Sequence, residues 1–471
     1  MQRGSLEGVQ AEASTLGAAG DGELRGLRHG LDGDLVLPGD PAYDRARQVW
    51  NGAIDKRPAA IAYCANVDDV IRAVAFGRQS GCRLAVRSGG HNIAGLSVYD
   101  GALVIDLSRM KRIDVDPRRR TARAEAGLLL GEFDRATQAH GLATTMGVNS
   151  DTGIAGLTLG GGFGKLGRKF GLTCDNLVAA EVVTADGTLL RVSEEEHADL
   201  FWGLRGGGGN FGIVTAFEYR LHPVGPELLV ASATYGADAI AEAMRFYDEF
   251  ARNAPDDICA DAALVTAPSG ERLFSISACY VGRPEEGVAV LAPLTAFGAP
   301  LDPRTAVIPY LQIQSNGDAL FPRGRRYYWK AQFLKEISAE AIAAIVATYE
   351  EAPMPAPLIV FQHVGGAIAR VPPAETAYVN RDAAFDCFPL AIWDDPRDDA
   401  KQAAWARDVW RAVRPFSTGG VYANNLGDEG DDRVRDAYGV NYARLVALKN
   451  KYDPDNLFRL NQNIRPTVSS R

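Results

Sequence analysis

The sequence predicts an α+β protein built in two parts, and three observations carry that expectation. From about residue 60 to residue 220, short strand-like runs alternate with helical stretches. After Pro223 the texture changes to longer alternating strands with two helical stretches between them, the pattern of an antiparallel sheet backed by helices. At 471 residues with 46% hydrophobic content, the chain holds enough apolar material for two domains, or for one domain with a large insertion.

In the first part, Val67 through Arg78 reads as a capped amphipathic helix and Leu128 to His140 as another. Ser193-Glu194-Glu195-Glu196 is expected to begin a third through a capping box, with Gly206 ending it. In the second part, alternation marks strands around Leu228-Val230-Ser232, Leu273-Ser275-Ser277-Cys279, Tyr327-Trp329 and Leu358-Val360, with helices from Asp238 to Asn253 and Ser338 to Glu351. The first two dozen residues are rich in Ala, Gly and Glu and lack an apolar core, so they read as a loosely ordered tail rather than a signal peptide.

Composition removes several function classes. A net charge of −9 with no basic run argues against nucleic acid or an anionic membrane as partner. No apolar run approaches the roughly 20 residues that span a bilayer, and a cytoplasmic location is expected. The six cysteines, at 64, 82, 174, 259, 279 and 387, lack C-x-x-C spacing, so zinc and thiol-redox motifs are not predicted and no metal is expected. Cys82, Cys259 and Cys279 sit in strand-like runs and are expected as buried fillers.

Three glycine segments carry the chemistry. Arg87-Ser88-Gly89-Gly90-His91-Asn92 places a histidine behind a glycine turn between two strand-like runs, where backbone N–H groups can cradle phosphate oxygens. Gly153 to Gly164 sets six glycines in twelve positions among apolar residues, too ordered for a linker and suited to a wall against a flat ligand. Gly206-Gly207-Gly208-Gly209-Asn210-Phe211-Gly212 follows a helix and leads into the strand Ile213–Tyr219. Its G-x-G-x-x-G match, Gly207 to Gly212, has the helix before and the strand after, the reverse of a dinucleotide fingerprint.

Together R-S-G-G-H, G-x-x-G-x-T-L-G-G-G-x-G, L-F-W-G-L-R-G-G-G-G-N-F-G-I-V-T and the tail Asn441 to Ile464 resemble the PCMH-type FAD domain of the vanillyl-alcohol-oxidase superfamily. Within it they are similar to the berberine-bridge-enzyme-like oxidoreductases, over about Leu37 to Pro466. The resemblance implies a tail at 1–34, an FAD-binding domain at 35–223, an inserted substrate-binding domain at 224–419, and a segment at 420–471 that returns to the FAD domain. It implies FAD attached by one covalent bond at His91. The flavin contacts it implies are Arg87, Ser88, Gly89, Gly90 and Asn92, then Asn149, Thr152, Gly153, Gly156, Leu157, Gly160, Gly161 and Gly162, then Gly212, Ile213 and Val214. Asn461, Gln462 and Asn463 complete the set from the tail.

Departures from the family pattern shape the rest. Where many members carry a second linking cysteine this chain has Asn149, so one link is expected rather than two. Thr152 stands where a Val or Leu often influences oxygen access. The tyrosine that closes a Y-x-N-Y run in several members is Asn425, which cannot serve as a general base. A glutamate that some members place after a Gly-Gly pair is here Ala367, after Gly365-Gly366. Substitute bases are Tyr422, if a cation activates it, then Tyr328, His363 and Tyr378; each is equally readable as packing on a sheet. Strand alternation would set Tyr422 and Asn424 on one face and Asn425 on the other. Lys330 and Arg370 could orient an acidic or phenolate substrate. Asp175-Asn176 either reaches the ribose and adenine or caps a turn, and Asp453-Pro454 reads as a turn stop.

The expected function is hydride transfer from a small organic substrate (an alcohol, an amine or a secondary metabolite) to flavin N5, with molecular oxygen as acceptor. The alternatives are a flavin-dependent cyclase or isomerase without net oxidation, a carbohydrate oxidase, and a flavoprotein that only binds ligand.

Overall fold

A computed structural model of the chain describes residues 21–355 and 357–467. A four-stranded sheet is ordered Asp34–Val36, Ala60–Tyr63, Leu103–Asp106, Leu84–Arg87, and Leu103–Asp106 pairs parallel to both of its neighbours. The crossover between parallel strands is the helix Val67–Ser80. The side chain of Asn66 caps it by accepting the N–H of Asp69, and Gly81 ends it at φ 70°. The strand Leu84–Arg87 therefore delivers Ser88-Gly89-Gly90-His91 at the carboxyl edge of a parallel sheet, where α/β folds open their ligand crevices.

A five-stranded antiparallel sheet follows, ordered Ile113–Asp116, Thr121–Glu125, Gly212–Arg220, Leu177–Thr184, Leu189–Ser193. The second part is an eight-stranded sheet whose pairings are all antiparallel, and the helices Ile240–Asn253, Ala339–Glu350 and Asp399–Val413 pack on it around one continuous core. The bend back to the first part is fixed by a buried ion pair. Lys449 Nζ lies 2.6 Å from Asp453 Oδ2 and also donates to the carbonyls of Asn210 and Phe458, while Asp453 accepts the N–H groups of Leu457 and Phe458. Asp453 is thus more than a turn stop.

Several expectations need correction. The tail ends earlier than residue 34: residues 1–20 lie outside the described residues, but Asp21–Gly30 is a helix whose Leu24 and Leu27 enter the core together with Leu31. The helix expected from Ser193 begins instead at Ala198, because the Ser193 hydroxyl turns the chain by accepting the N–H groups of Glu195 and Glu196. Residues Ile154–Gly160 of the second glycine segment form a short helix. Ala423–Asn425 is a 3₁₀ turn, so strand alternation does not apply there. Strands Arg304–Pro309 and Phe385–Trp393 and helix Pro284–Ala296 carry no clear pattern in the sequence, whereas helix Asp399–Val413, also not expected, has Trp405, Val409, Trp410 and Val413 at helical spacing. Phe385–Trp393 is buried on both faces, which erases the alternation that marks a half-exposed strand.

Candidate active site

The first two glycine segments meet backbone to backbone. A Cβ on Gly89 would stand 2.2 Å from the amide nitrogen of Gly153, and one on Gly153 would stand 2.3 Å from that of Gly89. Glycine is required at both because two main chains touch there. Beside this contact opens a cavity of about 430 Å³, within the usual range for ligand sites. Its wall runs from His91 past the helix Ile154–Gly160 and Gly208-Gly209 to Tyr422 and Asn461. The eight-stranded sheet closes the other side with Trp329, Val360, Gln362, Phe388 and Leu390.

Of the expected flavin contacts, Ser88, Gly89, Gly90, His91, Asn92, Asn149, Thr152, Gly153, Gly156, Leu157 and Gly160 line this cavity, as do Gly212, Ile213, Val214, Asn461 and Gln462. Arg87 does not: its guanidinium is buried against Asp106 at 2.5 Å and the carbonyls of Ala46 and Gln48, locking the strand that precedes the turn. Gly161, Gly162 and Asn463 also lie off the wall, though the Gly162 N–H supports a residue that is on it.

The candidate catalytic residues separate sharply. Tyr422 and Asn425 line the cavity, whereas Tyr328, Tyr378 and His363 do not. Tyr328 alternates with Trp329 and faces the helices, under the guanidinium of Arg407. His363 likewise alternates with Gln362; its Nδ1 accepts the N–H of Ala260, and burial keeps its ring far below the usual histidine range. Tyr378 is a buried packing residue beside Phe163 and Arg381. The two cations are engaged elsewhere, Lys330 with Glu429 and Arg370 with Asp256. Asp175 is bridged to Arg381 at 2.7 Å and Asn176 donates to the carbonyls of Phe170 and Leu172, so this pair is a turn support.

At Tyr422 the hydroxyl accepts the N–H of Gly162 at 3.0 Å and Asn424 Nδ2–H at 2.8 Å. Burial holds its phenol far above the usual range, outweighing those two bonds. Both lone pairs are occupied, which leaves the hydroxyl's own proton to be donated.

Three residues carry information that sequence reasoning did not extract. Trp50 stacks on the His91 ring with centroids 4.6 Å apart, and Tyr327 stacks on the other face of Trp50 at 3.8 Å. Asp151 bonds His91 Nε2 at 2.6 Å. Asp386 lies behind the wall, where burial pushes its carboxyl up to about 7 against the lowering bond from Asn425; Asn425 Nδ2–H donates to its Oδ2 at 2.6 Å, and its Oδ1 has no partner. A carboxylate after an apolar strand residue, or a lone tryptophan, has no motif by which to be found. Among the described residues that line the cavity none is Asp, Glu, Lys or Arg; the titratable ones are His91, Tyr422 and Tyr438.

The wall suits a flavin. Gly156 and Gly209 line it, and a Cβ on either would meet no protein atom within 4 Å. Gly156 lies in a helix, where glycine costs about 1 kcal/mol relative to alanine, so its missing side chain makes room for something other than protein. Ser97 Oγ, Asn149 Oδ1 and Asn461 Oδ1, on residues of the wall, are buried without a protein partner.

Comparison with known proteins defines the class. The profile of the FAD binding domain matches residues 58–193, and the berberine and berberine-like profile matches residues 421–465. The chain is 31% identical to an FAD-linked oxidoreductase of Dictyostelium discoideum over 443 residues, 93% of this chain and 95% of that one. It is 30% identical to (R)-6-hydroxynicotine oxidase of Paenarthrobacter nicotinovorans over 456 residues, 93% and 98% of the two chains. The crystal structure of 6-hydroxy-D-nicotine oxidase from Arthrobacter nicotinovorans superposes with a TM-score of 0.86 at 27% identity, covering 92% of this chain and 98% of that one. The protein belongs to the berberine-bridge-enzyme-like family and is an FAD-dependent oxidoreductase. Among the described residues no helix is long and apolar enough to cross a membrane.

Proposed function

We propose that the protein is an oxidase that carries its flavin on His91 through a single bond and dehydrogenates a small, largely apolar substrate, with an amine as the best-supported class. The observation that carries this reading is one continuous wall. It has His91 at one end, the Tyr422-Asn424-Asn425 turn at the other, and an uncharged sheet face opposite. When bound, the flavin supplies hydride acceptance at N5 and reoxidation by molecular oxygen.

The chain's own residues bind and orient. Trp329, Phe388, Val360 and Leu390 exclude water and pack the substrate's apolar body, while Gln362 and Asn425 offer amide groups to its polar end. Tyr422 acts as a hydrogen-bond donor, not as the base expected from sequence. With no carboxylate or cation lining the wall, a C–H bond beside a nitrogen lone pair is the favoured donor, because its loss of hydride needs no side-chain base. An alcohol or sugar hydroxyl would need its proton taken, and a sugar would need more polar partners than this wall presents. The hydroxynicotine oxidase relative points the same way.

The test is a denatured mass of the yellow protein and of His91→Ala, followed by anaerobic titration with panels of amines, alcohols and sugars. The expected result is one FAD of added mass in the wild type alone, and bleaching by amines. Flavin released on acid precipitation of the wild type would remove the covalent link. Bleaching by sugars alone would replace the substrate class, and a ligand turned over with no change in oxidation level would replace the reaction.

A further inference from the structure

We propose that Asp151 is the positioning residue for flavin attachment, holding the His91 ring so that Nδ1 faces the cofactor and stabilising the charge that develops on the ring as the new bond forms. The inference rests on the covalent link proposed above and concerns how that link is made.

The geometry begins with the ring. Trp50 stacks on His91 at an interplanar angle of 24° and is itself fixed by its indole N–H on the Phe321 carbonyl and its amide on the Gly90 carbonyl. That leaves the ring one plane. Asp151 Oδ1 sits 2.6 Å from Nε2 and selects the rotation within that plane. Arg323, from the inserted domain, lies 3.7 Å from the other carboxylate oxygen of Asp151 and donates to the Gly89 carbonyl at 2.9 Å. The next residue toward the N-terminus, Ser150, is clamped by Asp318 through both its amide and its hydroxyl. The carboxylate is thus anchored on a held segment rather than on a free loop.

Protonation follows from these contacts. Burial lowers the His91 pKa against the opposing pull of Asp151, so the imidazole is neutral. Burial is the largest influence and acts to raise Asp151, but the His91 bond and charge, the Arg323 guanidinium and a backbone bond together outweigh it and keep the carboxyl below its usual value. An ionised carboxylate only accepts, so Nε2 must carry the hydrogen and Nδ1 the lone pair. Nε2 is blocked by Asp151, and Nδ1 is the nitrogen left to react. The arrangement repeats the orienting role a carboxylate plays for a catalytic histidine, applied to a covalent tether.

The step balances as follows. Nδ1 bonds to the carbon of the flavin's 8α-methyl group, one C–H bond of that methyl breaks with its proton going to water, and the Nε2 proton, held by Asp151 while the ring is cationic, then leaves to water. The electron pair of the broken bond reduces the ring by two electrons. Dioxygen then removes those electrons with two protons, giving hydrogen peroxide and the oxidised, tethered cofactor.

The experiment uses the full chain produced under riboflavin limitation, given FAD in air and sampled over time for denatured mass. Bound FAD is measured in parallel from the native spectrum. Asp151→Asn is expected to bind FAD like the wild type but to gain the adduct at least 100-fold more slowly. Asp151→Glu restores part of the rate, which a merely structural role would not produce. Adduct formation by Asp151→Asn at the wild-type rate overturns the proposal and leaves the covalent link standing. A wild type that binds FAD and never gains mass overturns both. An Asp151→Asn protein that no longer holds FAD makes Asp151 a binding residue and also overturns it.

Discussion

The two sides of the cavity are made of different material. The side that bears His91 is largely backbone: glycines at 89, 153, 156, 160, 208 and 209, joined by amide side chains from residues 149 and 461. The sheet side is made of large side chains, Trp329, Val360, Gln362, Phe388 and Leu390. A backbone wall tolerates little change, because a methyl group added at a main-chain contact has nowhere to go. A side-chain wall can be re-cut one residue at a time without moving the sheet that bears it. A family can therefore keep one cofactor and vary its substrates.

The largest expected effect breaks the backbone side. Gly89→Ala places a Cβ against main-chain atoms of Gly153 at 2.2 and 2.8 Å, and neither segment can yield without opening the cavity. The variant should lose about 3 kcal/mol of stability or more and be purified colourless. Thermal denaturation and the ratio of flavin to protein absorbance check this. A yellow variant with unchanged melting temperature would mean the two segments are less tightly joined than the contact implies.

The sheet side has one buried liability, Asp386, and it sets the next effect. Its carboxyl is raised to about 7, so the folded protein keeps the proton that the unfolded chain loses near pH 4. Stability from this group is full below pH 4 and is lost as pH rises to about 7. Asp386→Asn has no such titration. From pH 5 to pH 8 the stability difference between variant and wild type should move in the variant's favour by roughly 2–3 kcal/mol, read from urea melts at both pH values. A difference independent of pH would mean the carboxyl ionises freely, and that Asn425 is held by a charge rather than by a neutral acid.

The same contrast explains what the sequence makes legible. Glycines at fixed spacing report a backbone requirement directly, and the family resemblance that their order carries implies His91, Gly153, Gly156 and Gly212. The sheet side could not be read in that way. Which of Tyr328 and Trp329, or His363 and Gln362, faces the cavity depends on a register set by the partner strand Phe385–Trp393, whose apolar run hides its period. Tyr422 is expected from sequence as a base; it lines the cavity, but its hydroxyl there accepts from two donors, Gly162 and Asn424, of which Gly162 is remote in sequence. Asp151 stands between Asn149 and Thr152, two positions the family pattern picks out, and the sequence gives no sign of its contact, because His91 lies 60 residues away.

The smallest effect sharpens the comparison most, because it separates the two reasons a backbone wall uses glycine. At Gly89 the neighbour is protein; at Gly156 it is not, since a Cβ there meets no protein atom within 4 Å. Gly156→Ala should leave the cofactor-free protein as stable as before, or up to about 1 kcal/mol more stable through helix propensity and reduced chain entropy. The gain should vanish or reverse once flavin is present, because the added methyl group then competes with the ligand for the same space. Melting temperatures of wild type and variant, each with and without FAD, give the four numbers required. A methyl group that stabilises both forms equally would place the flavin away from this helix and shift the cofactor wall toward Gly208-Gly209. One that destabilises only the loaded form would mark Gly156 as a residue kept for the ligand, at a small cost to the helix that carries it.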